Sequence, residues 1–229
     1  MRLAQRRADA VIVKEVQTTY GDVPVRAGDV VLDLGANIGA ASRLLLHKGA
    51  EKVIVVEPDP ASLILAQRNL RKHHAVIIHA AVGREPGRVK IHIRPGKPYL
   101  TSTISDAGRH SITVPMVTLG ALMAQYRPSI VKCDIEFGEY DLPELYELPD
   151  YVRVLAMELH IRKDLVVDER QSDEALTEQR QQAVDLMASF AAQGFTIAKR
   201  KDKQAKSGAI KDDTGLGPLV KSIDAIWTR

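Results

Sequence analysis

The chain has 229 residues, enough for one substantial α/β domain and too few for two full ones. Its formal charge of +3 is the small difference between 32 basic and 29 acidic residues, so charge alone does not argue for nucleic acid, and the 4% aromatic content supplies a stacking platform for single strands poorly. With no apolar run of membrane-spanning length, no apolar segment following Met1 and a single cysteine, Cys133, the composition excludes a disulfide framework and leads to the expectation of a cytoplasmic protein without a membrane partner.

Residues 1–28 read as an N-terminal cover preceding a single domain over residues 29–229. Val11-Ile12-Val13 fits a short strand or the end of a helix, and Gln17 to Asp22 is polar and turn-prone. Such a segment suits either closure over a ligand or simple cover of a sheet edge.

Val30-Val31-Leu32-Asp33-Leu34 is a continuous apolar run of buried-strand type, leading through Gly35-Ala36-Asn37-Ile38-Gly39 into a helix that carries Leu44, Leu45 and Leu46 and stops at Gly49. Val53 to Val56 is the second strand and ends on Glu57-Pro58. Asp59-Pro60 then supplies an N-cap and a first-turn proline to a helix with Leu63, Ala66 and Leu70 on one face. Ala75 to His79 is a third strand, so the alternation predicts a parallel sheet with right-handed crossovers.

Residues 84–117 change character. Val89 to Ile93 alternates, Pro95-Gly96-Lys97-Pro98 breaks the chain, and Ile112 to Val117 is extended again, which reads as a β flap with Thr101-Ser102-Thr103 in its loop. Tyr99 and Ser102 there suit contact with an acceptor, against the plainer reading of a mobile exposed loop. Leu119 to Tyr126 is a short helix, Ile130 to Asp134 a fourth core strand, Leu142 to Leu148 a further short helix, and Val152 to Glu158 a fifth strand.

Gln171 to Ala192 has helical period, with Val184, Met187, Phe190 and Ala191 at core spacing and Gly194 beyond its end. Phe195 to Ala198 and Ile223 to Trp227 complete the sheet as an antiparallel pair. The intervening cluster of Lys199, Arg200, Lys201, Lys203, Lys206 and Lys211 reads as a solvated loop.

Ligands of open α/β sheets sit beyond the carboxyl ends of the strands. A small-residue loop at a helix N-terminus lets backbone N–H groups reach a polar ligand, and an acid ending the next strand can accept both hydroxyls of a ribose. The dinucleotide pattern G-x-G-x-x-G needs glycine at Gly35, Asn37 and Ala40, and only the first fits. The looser D-x-G-x-x-x-G, here Asp33, Gly35 and Gly39 followed by Glu57, suits S-adenosylmethionine, which has no pyrophosphate. The fourth strand presents Asp134 with Glu136 and the fifth Glu158 with His160, each pair two residues apart and on one face if its strand continues. These four are candidate general bases, and Asp134, Glu158 and His160 are candidate ligands of a divalent metal. Cys133 points the other way, into the core.

Three blocks resemble the FkbM-type family of class I S-adenosylmethionine-dependent methyltransferases. They are Val31 to Gly39; Val117-Thr118-Leu119 leading to Val131-Lys132-Cys133-Asp134-Ile135-Glu136; and Ala156-Met157-Glu158-Leu159-His160. The first block is widespread among methyltransferases. The second is more specific, since the family shows a lysine, an aspartate, a glutamate, a glycine and a second glutamate there. Glu139 matches the last of these, Phe137 stands in place of the glycine, and Gly120 replaces a frequent aspartate.

The resemblance implies a Rossmann-like, mostly parallel seven-stranded sheet with an antiparallel C-terminal strand and a β flap insertion. It implies O-methylation of a hydroxyl on a small molecule, sugar or natural product, by a monomer or homodimer. Asp33, Gly35, Ala36, Asn37 and Gly39 would serve the methionine end of the cofactor, Glu57 with Pro58 the ribose, and Ala81 and Val82 the adenine. Asp134 would adjoin the transferred methyl, with Glu136, Glu158 and His160 as bases or metal ligands. Two rivals stand beside this: an RNA (tRNA or rRNA) methyltransferase, opposed by the absence of an N-P-P-Y-like motif after strand four, and a non-catalytic S-adenosylmethionine-binding protein, motivated by Phe137.

Overall fold

The computed structural model describes residues 12–93, 110–136, 138–161, 173–204 and 220–229. Helix α1 occupies residues 12–20. Gln17 to Tyr20 thus belong to a helix and not to the expected turn, which comes at Gly21, whose N–H donates to Gln17 O. Strand β1 (Val30–Leu34) leads to α2 (Ala40–His47), β2 (Lys52–Val56), α3 (Pro60–Leu70) and β3 (Ala75–Ile78). Asp59 caps α3 as its sequence suggests, accepting from the N–H groups of Ala61 and Ser62.

A three-stranded sheet follows, made of β4 (Ala81–Val82), β5 (Gly87–Ile93) and β6 (His110–Val117). β5 and β6 pair antiparallel from Gly87↔Met116 to Ile93↔His110, at the place read as a flap. Thr101 to Thr103 and Tyr99 lie outside the described residues. Then come α4 (Leu119–Tyr126), β7 (Ile130–Cys133), β8 (Val154–His160), α5 (Asp173–Ala192), β9 (Thr196–Gln204) and β10 (Val220–Thr228).

The main sheet has the order β3-β2-β1-β7-β8-β10-β9, and β10 alone runs opposite to the other six strands. This is the mostly parallel Rossmann-like sheet, with an antiparallel C-terminal strand, that the resemblance implies. Its inner strands are apolar on both faces because helices cover both. Leu32, Leu34, Ile54 and Val56 join Phe190 and Trp227 in one core layer, while Val31, Val53 and Val55 join Leu45, Ala66 and Leu70 in the other. Cys133 is buried in the first layer, as expected. β3 is half-buried throughout, because it forms the edge of the sheet and has a neighbour on one side only.

Four further readings differ from expectation. Leu142 to Leu148 is no α-helix: two 3-10 turns, Glu139–Asp141 and Pro143–Tyr146, replace it, the second closed by Glu147 N–H donating to Glu144 O at 3.3 Å. β8 begins and ends two residues later than read, since Val152 N–H is taken by Pro149 O while β10 pairs along β8 as far as Ser222↔His160. α5 buries Arg180, Ala183, Leu186 and Phe190, whereas Val184 and Met187 are half-buried and Ala191 is exposed. Finally, Lys199, Arg200, Lys201 and Lys203 are strand residues of β9, not loop, because β10 provides partners for all of them. Lys206 and Lys211 lie outside the described residues.

Candidate active site

β1 ends where Gly35 N–H and Ala36 N–H both donate to Val56 O, at 3.0 and 3.2 Å, so the loop is drawn across the end of β2. Gly35 has φ +70, and a Cβ on it would lie 1.8 Å from Asp134 O. Only glycine lets this loop touch the end of β7. Gly39 (φ +75) and Asn37 (φ 52) are also left-handed, turning the chain into α2.

Glu57 ties this loop together. Its Oε2 accepts Asn37 N–H and its Oε1 accepts Asp59 N–H, both at 2.7 Å. Burial drives the Glu57 carboxyl up to about 7, against those two hydrogen bonds, which pull it down. Each oxygen keeps a second lone pair for a ligand hydroxyl. Asn37 Oδ1 is buried and has no hydrogen-bond partner among the described residues. Ala36 and Ala81 are buried, Pro58 and Val82 half-buried. Ala81 and Val82 follow the strand next to β2 and pair with Met116 and Val117 of β6.

Asp33 lies beneath the loop, fully buried, with Ser42 Oγ at 2.6 Å and Lys132 Nζ at 3.1 Å. Its place is therefore beneath the loop, where it supports it. Lys132 is itself 2% exposed and donates to Leu34 O at 3.2 Å and Gly35 O at 2.8 Å. Its ammonium also stands 3.9 Å from Asp134 Oδ2 and 5.6 Å from the centre of the Tyr20 ring. A lysine inside the apolar run Ile130–Cys133 was a visible sign of a buried charge, though not of its partners.

The second face is built around His160. Its Nδ1 lies 2.9 Å from Oε1 of the fully buried Glu139. Its Nε2 faces Glu136 Oε2 at 3.6 Å, Glu158 Oε1 at 3.6 Å and Asp134 Oδ1 at 4.0 Å. The four acids and bases read from the sequence are thus brought together. Glu158 and His160 share a face of β8 as strand alternation requires. Asp134 and Glu136 do not, because β7 stops at Cys133 and Glu136 turns left-handed (φ 55), yet both carboxylates converge on the imidazole.

Lys203 was missed, because it arrives from β9 across β10. Its Nζ lies 2.9 Å from both oxygens of Glu158, 3.2 Å from Asp224 Oδ1 and 3.1 Å from Glu15 Oε1. Ser222 Oγ donates to Glu158 Oε1 at 2.8 Å. Helix α1 lies against this face: Tyr20 donates to Asp134 Oδ2 at 3.4 Å and Thr19 to Asp224 Oδ2 at 3.3 Å. Helix α1 therefore lies over the acid face as well as against the sheet.

Charges here shift one another. Burial disfavours the His160 imidazolium, but Glu139, then Glu136 and Glu158, outweigh it and raise its pKa well above the ordinary value. Burial pushes Glu136 up to about 7, with His160 pulling the other way, and raises Asp134 against the pull of Lys132. Glu158 is lowered: burial opposes ionisation, and His160 with Lys203 overcomes it. Burial, then the charge of Glu158, lifts Asp224 to about 6. The face thus offers a carboxyl that exchanges its proton near neutrality beside anchored charges.

Of the two departures from the family pattern, Phe137 lies outside the described residues. Gly120 sits in the first turn of α4, where its N–H donates to Glu144 Oε1 at 2.7 Å. A Cβ there would meet that oxygen at 2.7 Å, and an aspartate would set two carboxylates together.

Residues 33–142 match the family model for the methyltransferase FkbM domain, the family that the three sequence blocks resemble. No curated protein matches the sequence. Among solved structures, the C-terminal domain of precorrin-6Y C5,15-methyltransferase from Rhodobacter capsulatus is similar at 11% identity and TM-score 0.48, over 94% of this chain and 87% of that one. TYW2 of M. jannaschii in complex with AdoMet is similar at 12% identity and TM-score 0.44, over 95% and 75% respectively. No helix among the described residues is long and apolar enough to cross a membrane.

Proposed function

We propose that this chain, whose residues 33–142 match the methyltransferase FkbM domain, transfers a methyl group from S-adenosylmethionine to a hydroxyl oxygen of a small molecule, sugar or natural product. The observation that carries the reading is the contact of Gly35 with Asp134. It sets a cofactor-type loop directly against a face of acids and one histidine at the carboxyl end of the sheet. The residues suit the cofactor: Asn37 Oδ1 is a buried acceptor without a partner among the described residues. Glu57 would take the ribose hydroxyls, backbone groups of Gly35 to Gly39 the methionine end, and Ala81 with Val82 the adenine edge.

The bound donor supplies an electrophilic methyl on a sulfonium, so the chain has to align the acceptor and receive its proton. Asp134, held by Tyr20 beside the loop, aligns the acceptor hydroxyl. Glu136, raised to about 7, takes the proton, and His160 stands as a positive charge 3.6 and 4.0 Å from the Glu136 and Asp134 carboxylates. A face this rich in carboxylates repels phosphates, which weighs against an RNA acceptor. Calorimetric titration with S-adenosylhomocysteine tests the donor half: a folded protein that takes up none sinks the proposal. For the acceptor half, Asp134→Asn is expected to bind S-adenosylhomocysteine normally and to lose most turnover; full turnover removes the assignment.

A further inference from the structure

Residues 40–74, which form α2, β2, α3 and their connections, hold six of the 32 basic residues and three of the 29 acidic ones, so their excess of three equals that of the whole chain. Two of those three acids, Glu57 and Asp59, are buried, and Glu51 is the exposed one. Arg43, Lys48, Arg68, Arg71 and Lys72 are all exposed, and none forms an ion pair among the described residues. Lys132, Arg153, Lys199 and Lys203, by contrast, each meet a carboxylate. We propose that the surface of α2 and α3 docks an acidic segment of a partner protein.

The cations are gathered because the two helices pack side by side. Leu45, Ala66 and Leu70 share one core layer, Asn69 Nδ2 donates to Ile38 O at 2.8 Å, and the rings of His47 and His73 lie 5.2 Å apart. A Cβ on Gly39 would meet Leu70 Cδ1 at 3.1 Å, so α2 touches α3 at Gly39 and again at His47. Arg43, one helical turn from each, stands on the same side. Arg68, Arg71 and Lys72 crowd the last turn of α3 and the residues that end it. Cations at a helix carboxyl end complement its macrodipole, which accounts for those three and for Lys48. It does not account for Arg43, in the first half of α2, nor for first turns without an acid in either helix.

The kind of partner follows from what the surface carries. Neither helix has an aromatic side chain to stack a base, and five cations are few beside the roughly 6–10 phosphate contacts of a strongly salt-dependent duplex binder. Ile64, 49% exposed, is the only large apolar side chain exposed on either helix, too little to seat a membrane surface. Guanidinium forks pair with carboxylates, and an acidic segment presents these in series. Lys48 and Lys72 lie toward the amino ends of β2 and β3, away from the acids at the carboxyl ends of β7 and β8, so docking leaves the candidate active site uncovered and does not depend on the methyl-transfer reading.

The test follows the fluorescence anisotropy of a labelled deca-glutamate peptide titrated with the full chain. Binding is expected in about 20 mM NaCl and should weaken at least about tenfold by about 200 mM, as exposed charges are screened. Arg43→Gln with Arg68→Gln should weaken it about tenfold, the combined effect of two exposed ion pairs. Lys90→Gln with Lys201→Gln removes the same net charge from exposed strand positions and should change binding less than about twofold. None of these four side chains makes an ion pair among the described residues, and thermal unfolding establishes that both double variants are folded. Absence of binding at low salt, or equal weakening by the two double variants, overturns the proposal and leaves a solvated face. Tighter binding of an RNA strand of equal charge, or partition onto phosphatidylserine vesicles, when abolished by the Arg43 and Arg68 substitutions, overturns it in favour of a nucleic acid or a membrane.

Discussion

Replacing Lys132 by methionine isolates the charge that joins the loop to the acid face. Methionine keeps most of the stem volume, so little cavity forms. What changes is electrostatic. Asp33, fully buried, loses the ammonium at 3.1 Å and retains the hydroxyl of Ser42. Gly35 O loses its donor at 2.8 Å, whereas Leu34 O keeps the N–H of Asp134 at 3.1 Å. Breaking a buried pair from one side costs about 3–5 kcal/mol, because the remaining charge is uncompensated. Lys132→Met should therefore lower unfolding stability by about that amount in urea titrations at pH 7, followed by circular dichroism. Adding Asp33→Asn removes the stranded charge and keeps an acceptor for Ser42, so the double variant should recover to within about 2 kcal/mol of the native chain. A loss below about 1 kcal/mol for Lys132→Met, or a double variant no more stable than the single, would refute the reasoning.

Two further outcomes follow from the same geometry. Glu57 titrates near 7 in the folded chain, so native protein holds an extra proton between the ordinary carboxyl range and that value; S-adenosylhomocysteine affinity, which needs the ionised acceptor, should rise as pH rises through 7. Glu57→Gln should abolish that rise and weaken binding about tenfold, since its amide NH₂ must face a backbone N–H at Asn37 or Asp59; calorimetry across pH checks both. Burial raises the Asp29 carboxyl, but hydrogen bonds from Arg153, Ser129 and the Arg26 N–H bring it below its ordinary value. A depressed acid stabilises the fold above the unfolded pKa and loses that contribution as pH falls through the folded one, so Arg153→Met should flatten the acid limb of the stability curve, as urea midpoints between pH 3 and 7 would show, with a change confined to neutral pH counting against it.

The core strands and their order of appearance were legible because burial on both faces writes an unbroken apolar run, and because Gly35, Asp59-Pro60 and Gly49 punctuate the helices by local rules. The turns of the loop were legible for the same reason: the left-handed Gly35 and Gly39 are a local property. The second 3-10 turn reads as helix because Leu142, Leu145 and Leu148 keep a helical spacing, whereas its bond from Glu147 N–H to Glu144 O spans three residues.

The sequence by itself determined the Rossmann-like alternation, the glycine-bearing loop after β1, Glu57 and the acids of the fourth and fifth strands. Only the tertiary structure decided what surrounds them. Lys203 reaches Glu158 because β10 carries β9 past it, and Tyr20 reaches Asp134 because α1 lies over the sheet end, partners 45 and 114 positions apart in the chain. Glu139 and His160 meet at the close of a turn, not by strand alternation. Local pattern specifies which face a side chain takes. The charge partners that set its ionisation come from elsewhere in the chain, and only packing brings them within reach.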